Sequence, residues 1–81
     1  MATINGAFVS ADEERLLTSA ADALPDDWRI FLSRGRSTIE IAVMDAQRRR
    51  VGYAMMDAPA TERLVTFLDH LRRAHETARV D

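Results

Sequence analysis

The stretch from Trp28 to Met56 constrains this chain most, because apolar and polar residues alternate along it with a period of two. Trp28, Ile30 and Leu32 share one face of a first strand; Ile39, Ile41 and Val43 share one face of a second; Val51, Tyr53 and Met55 share one face of a third. Such spacing, rich in β-branched and aromatic residues, marks half-buried strands. Arg34-Gly35-Arg36-Ser37 supplies the first turn, with glycine at the first central position of a two-residue type II′ loop. That turn sets Leu32 opposite Ile39, Ile30 opposite Ile41 and Trp28 opposite Val43, and a slip of one residue would scatter them over both faces. The second turn, around Ala46-Gln47-Arg48-Arg49, contains neither glycine nor proline. Matching the apolar faces there places Val43 opposite Val51 and Ile41 opposite Tyr53, across a loop of about three to five residues.

The flanks read as helices. Residues 1–9 carry no period and form an arm pinned by Ile4, Phe8 and Val9. Ser10-Ala11-Asp12-Glu13 matches a capping box, in which the serine oxygen and the glutamate carboxylate satisfy backbone N–H groups at a helix start. The spacing predicts a helix over residues 10–24 with Leu16, Leu17, Ala20, Ala21 and Leu24 as its apolar stripe, ended by Pro25. After the sheet, Asp57-Ala58-Pro59 marks a boundary. Leu64, Phe67, Leu68, Leu71 and Ala74 then predict a helix over 59–78, with Asp69–Arg73 and Arg72–Glu76 spaced for ion pairs and residues 78–81 as a fraying tail. The expected architecture is a single α+β domain over 1–81, a two-layer α-β-β-β-α arrangement. It has a three-stranded antiparallel sheet over 28–56 and both helices on one face.

Composition narrows the chemistry. At 81 residues the chain is sized for one core, and 47% apolar with 30% charged residues is the balance of a folded chain. There is no cysteine, hence no disulfide or thiolate metal site, and no apolar run of membrane-spanning length, which predicts a cytoplasmic protein. The net charge of −2 conceals a segregation: residues 1–27 carry −5, residues 28–56 carry +4 and the remainder −1.

No catalytic constellation emerges. His70 and His75 are five apart on one helix, about 140° around its axis, too far around to ligate one metal together. The serines sit in caps, turns or helix, and no glycine-rich phosphate loop occurs. The expectation is a chain with no catalytic residue, no metal and no cofactor. Two surfaces remain. Arg48, Arg49 and Arg50, with Arg34 and Arg36, form a basic rim on the hairpins that could meet phosphates. The back face of the sheet, opposite the assigned core, carries Phe31, Ala42, Met44, Ala54 and Met56 among charged neighbours, a shallow apolar strip suited to a protein interface or a homodimer.

The order α-β-β-β-α is also that of the double-stranded-RNA-binding domain. The basic cluster that opens that domain's second helix is replaced here by Asp57-Ala58-Pro59-Ala60-Thr61-Glu62. In size, composition and compactness the chain resembles the small phage and mobile-element inhibitors of the anti-CRISPR kind. That resemblance implies a non-enzymatic protein-binding module in a bacterial host, blocking a CRISPR effector complex by occupying its DNA-binding surface. The acids it would use are Asp12, Glu13, Asp22, Asp26 and Asp27. The expected partner-binding set is therefore Phe31, Met44, Met56, Asp22, Asp26, Asp27, Arg48, Arg49 and Arg50. The alternative is a small nucleic-acid-binding or regulatory protein that uses the arginine rim, against which the net charge weighs.

Overall fold

The computed structural model describes residues 2–78 and orders six elements: β1 (Thr3–Asn5), α1 (Ala11–Asp22), β2 (Arg29–Arg34), β3 (Thr38–Met44), β4 (Arg50–Asp57) and α2 (Thr61–Ala78). The α+β class is as expected, but the sheet has four strands in the order β1-β2-β3-β4 and is mixed. The added strand comes from the arm: Thr3, Ile4 and Asn5 pair in parallel with Arg29, Ile30 and Phe31. Three residues are too few to show a period. What holds them is nonlocal, for Ala2 N–H donates to Ala21 O (3.0 Å) and Thr3 N–H to Trp28 O (3.1 Å). Gly6 then turns the chain at a positive φ of 145°, where a Cβ would stand 2.7 Å from Leu32 Cβ.

α1 begins with half of the expected capping box, for the Glu13 carboxylate accepts from Val9 N–H and not from that of Ser10. Ser10 Oγ accepts from Glu13 N–H at 3.1 Å, and the helix runs to Asp22 with Ala23 as its C-cap. Its buried stripe is Glu13, Leu17, Ala21 and the trailing Leu24, while Leu16 is 42% exposed instead of joining the core. In α2, Leu64 and Leu68 are buried, and Asp69–Arg73 and Arg72–Glu76 pair at 3.0 Å along the wet side. Of the tail 78–81 expected to fray, Ala78 closes α2 and 79–81 lie outside the described residues. Leu17, Ala21, Leu64 and Leu68 share one cluster with Ile30, Leu32, Ile39, Ile41 and Val43, so both helices cover the same sheet face. Trp28 precedes β2 and is buried edge-on against His75, with ring centroids 5.1 Å apart.

Two registers differ from expectation. Between β2 and β3 the pairing is Leu32 with Ile41 and Ile30 with Val43, two residues from the expected one. A two-residue shift preserves the faces, so the core assignment on both strands stands. Gly35 pairs with Thr38, donating to its carbonyl at 2.9 Å, and the loop is Arg36-Ser37. Gly35 has no positive φ, and the turn is therefore not type II′.

The β3–β4 hairpin starts as the sequence predicts. Asp45 N–H donates to Arg49 O at 2.9 Å, closing a loop of Ala46, Gln47 and Arg48 in which Arg48 adopts φ 63°. Met44 pairs with Arg50, but Val43 pairs with Gly52, leaving Val51 as the extra residue of a bulge. Beyond it every residue of β4 faces opposite to expectation. Ala54 pairs with Ile41, and Gly52, Ala54 and Met56 lie under the helices, whereas Tyr53 and Met55 are 46% and 56% exposed. The reason is size: a Cβ on Gly52 would stand 2.7 Å from Leu71 Cδ1 and 3.0 Å from Phe67 Cζ. Only a residue without a side chain lets α2 lie this close.

Candidate docking face

The bulge makes the open face. Across β2, β3 and β4 the residues Phe31, Ala42 and Tyr53 stand in one row, each paired with the next. Neighbouring strands lie about 4.8 Å apart, so the two rings flank the small Ala42 as the walls of a slot about 10 Å across. Phe31 is 42% exposed. The row beside it runs Arg29, Met44, Arg50, and the row on the other side Ser33, Glu40, Met55. The Arg50 guanidinium carbon sits 5.2 Å from the Tyr53 ring centroid, a cation–π contact that holds the ring in place.

At the turn end of the face, a groove is lined by Phe31, Ala42 and Met44 together with Asp26, Asp27, Arg29 and Arg48. Five of the residues expected to bind a partner thus converge: Phe31, Met44, Asp26, Asp27 and Arg48. Arg50 joins the same face through Tyr53. Met56 does not, because the register change turns it inward to pack against the core. Asp22 closes α1 and lies outside the groove. Sequence reasoning missed Tyr53 and Met55, which it assigned to the core. The signal available was Gly52, since a glycine within a strand pattern marks a bulge or a close backbone approach.

Several charges are paired within the chain, some buried and some exposed. Glu13, expected among the docking acids, is 2% exposed and binds three partners: Val9 N–H donates to its Oε1 (3.1 Å), Thr61 Oγ1 donates to its Oε2 (2.8 Å), and Arg34 Nη2 pairs with its Oε1. Arg34 also donates from Nε to Ala7 O at 2.9 Å, so it leaves the basic rim. Arg49 pairs with Asp45 at 3.0 Å, though its side chain stays 75% exposed. Asp45 itself accepts from the backbone N–H of Gln47 and of Arg49, both at 2.9 Å. The Arg49 N–H foremost, then its guanidinium and the Gln47 N–H, hold the Asp45 carboxyl below the usual aspartate range against the opposing effect of burial. Asp12 is paired with Arg15 at 3.0 Å on the exposed side of α1. Among the described residues no three histidine or carboxylate side chains gather to hold a metal ion, and no helix is long and apolar enough to cross a membrane.

What the face can do chemically is bind. It offers two aromatic walls, two thioethers and a border of both signs, with Arg29, Arg48 and Arg50 against Asp26, Asp27 and Glu40. In comparisons with known proteins, no family model, no curated protein and no solved structure matches this chain.

Proposed function

We propose that this chain is a non-enzymatic protein-binding module that docks onto a larger partner through its open sheet face. The observation that carries this is the exposed row Phe31–Ala42–Tyr53, extended by Met44 and Met55, on a face that an antiparallel sheet ordinarily gives to polar residues. Methionine and aromatic side chains together make an adaptable apolar surface of the kind enriched at protein interfaces. The border of mixed sign favours a protein over a phosphate backbone, which would ask for a field of one sign. An inhibitor that masks the DNA-binding surface of a CRISPR effector is one instance of this activity, with Asp26 and Asp27 as acids beside the groove.

The test compares variants as bait and as nucleic-acid ligands. Phe31→Glu with Tyr53→Glu should keep the native circular dichroism and lose the proteins that co-purify with the unmodified chain from a bacterial host, while Asp12→Ala should keep them. Fluorescence anisotropy with single-stranded and duplex oligonucleotides should show no binding at moderate salt. Micromolar binding that weakens steeply with salt and depends on Arg48 and Arg50 would overturn the proposal in favour of nucleic acid.

A further inference from the structure

The two edges of the sheet are built differently. β1 is three residues long, too short to template another strand. β4 is eight residues long, Arg50-Val51-Gly52-Tyr53-Ala54-Met55-Met56-Asp57, and contains neither lysine nor proline. Among the described residues no strand lies beyond it. Ala58 N–H donates to Ser37 O at 2.9 Å, which makes Ser37 and Ala58 a hydrogen-bonded pair. By the alternation of an antiparallel ladder, Met56 and Ala54 then bond inward to β3, and Tyr53, Met55 and Asp57 turn their N–H and C=O groups outward. The Asp57 carbonyl is taken by Arg63, whose Nη2 donates to it at 2.6 Å. The backbone of Tyr53 and Met55 is left facing solvent, beneath the two most exposed apolar side chains of the strand.

We infer that β4 pairs antiparallel with β4 of a second copy of this chain, about a two-fold axis at Ala54. The occupant follows from the strand's own charge pattern: it is basic at Arg50, acidic at Asp57 and uncharged between. Antiparallel self-pairing about Ala54 sets Asp57 opposite Val51 of the other copy, one position from its Arg50, so unlike charges are diagonal neighbours at both ends, whereas a parallel partner of the same sequence would stack like on like. A two-fold axis at Ala54 sets Tyr53 of each copy against Met55 of the other, and each such pair exchanges both backbone hydrogen bonds. Ring and thioether meet on the open face, covering side chains otherwise 46% and 56% exposed. On the opposite face the axis carries only Ala54. The result is one continuous eight-stranded sheet, closed by symmetry at its centre.

This interface is the strand edge; it shares Tyr53 and Met55 with the docking face but not Phe31, Ala42 or Met44, so it can fail while partner docking survives. Sedimentation equilibrium over a concentration series should show the unmodified chain moving from one to two copies. Asp57→Arg should weaken the dimer at least tenfold, since it replaces an unlike diagonal pair by two arginines at each end, and adding Arg50→Asp should restore it. Met55→Pro, which removes an outward N–H not used by β3, should abolish it, and Phe31→Glu should leave it intact. A single-copy mass at every concentration would overturn the inference. So would a dimer indifferent to both Asp57→Arg and Met55→Pro, or one lost only on Phe31→Glu, which would assign the contact to the faces.

Discussion

Each hairpin of the sheet is held by a buried carboxylate, and the two work over different distances. Glu13 ties the end of β2, through Arg34, to the starts of both helices, with partners 4, 21 and 48 residues away in the chain. Asp45 takes its donors from within four positions, the N–H of Gln47 and the N–H and guanidinium of Arg49. A long-range clamp fixes where a hairpin sits, and a local one fixes how it turns. The first hairpin is therefore positioned from outside. The second is shaped from within, and its tight turn and bulge decide that Tyr53 and Met55 face solvent. The open face follows from that bulge together with the close packing of α2 over Gly52.

The largest test of this contrast is Glu13→Ala. Arg34 and Thr61 would be left without their shared acceptor, and removing one partner of a buried, hydrogen-bonded charge pair costs about 3–5 kcal/mol. Urea denaturation should show that loss, and Arg34→Ala in the Glu13→Ala background should add little, because the two act as one unit. A loss below about 1 kcal/mol would break the comparison, showing that the first hairpin needs no external anchor. Next comes Gly52→Val, which drives a branched side chain into Leu71 and Phe67. Overpacking of this kind costs about 1–3 kcal/mol. It should also slow no partner binding if Tyr53 and Met55 keep their outward register, which tryptic protection of β4 would report.

These differences also explain what could be read from residues alone. The strands β2 and β3, their core faces, the Ser10 cap and the two ion pairs of α2 are all short-range patterns, and each is present as expected. Three features were not legible. β1 is held by pairing across α1 and has too few residues for a period. Glu13 shows only its cap spacing in sequence, since Arg34 and Thr61 reach it through space. The bulge at Val51 reverses Tyr53, Met55 and Met56 because alternation counts residues, and one uncounted residue inverts the rest. For the docking face, Phe31 and Met44 were readable from β2 and β3, while the half supplied by β4 was inverted.

Acid probes the local clamp directly. Asp45 has a depressed pKa in the folded chain, so its contribution is complete above the ordinary aspartate value and is lost as pH falls below it. Asp69, depressed chiefly by Arg72, titrates in the same direction, so the wild-type profile alone is ambiguous. The stability difference between wild type and Asp45→Asn isolates one group. It should be constant near neutrality and shrink as pH falls from about 4 toward 2, because a protonated aspartate can no longer hold the Arg49 guanidinium. A difference independent of pH over that interval would mean the turn is held by its backbone alone.

The smallest effect has the opposite sign and sharpens the contrast best. Arg48 sits at φ 63°, a left-handed conformation that costs a non-glycine residue about 1–2 kcal/mol. Glycine there removes that strain but loses more freedom on folding, by about 0.5–1 kcal/mol. Arg48→Gly should therefore stabilise the chain by up to about 1 kcal/mol, read as a higher urea midpoint with an unchanged slope. The same substitution in the first turn should do the reverse. Neither Arg36 nor Ser37 has a positive φ, so Arg36→Gly relieves nothing and adds only disorder to the unfolded chain. Glycine that helps one turn and harms the other is the signature expected if the second hairpin is set by its own backbone. If both substitutions destabilise, the Arg48 side chain contributes more through its place in the groove than its backbone costs, and the second hairpin too depends on what surrounds it.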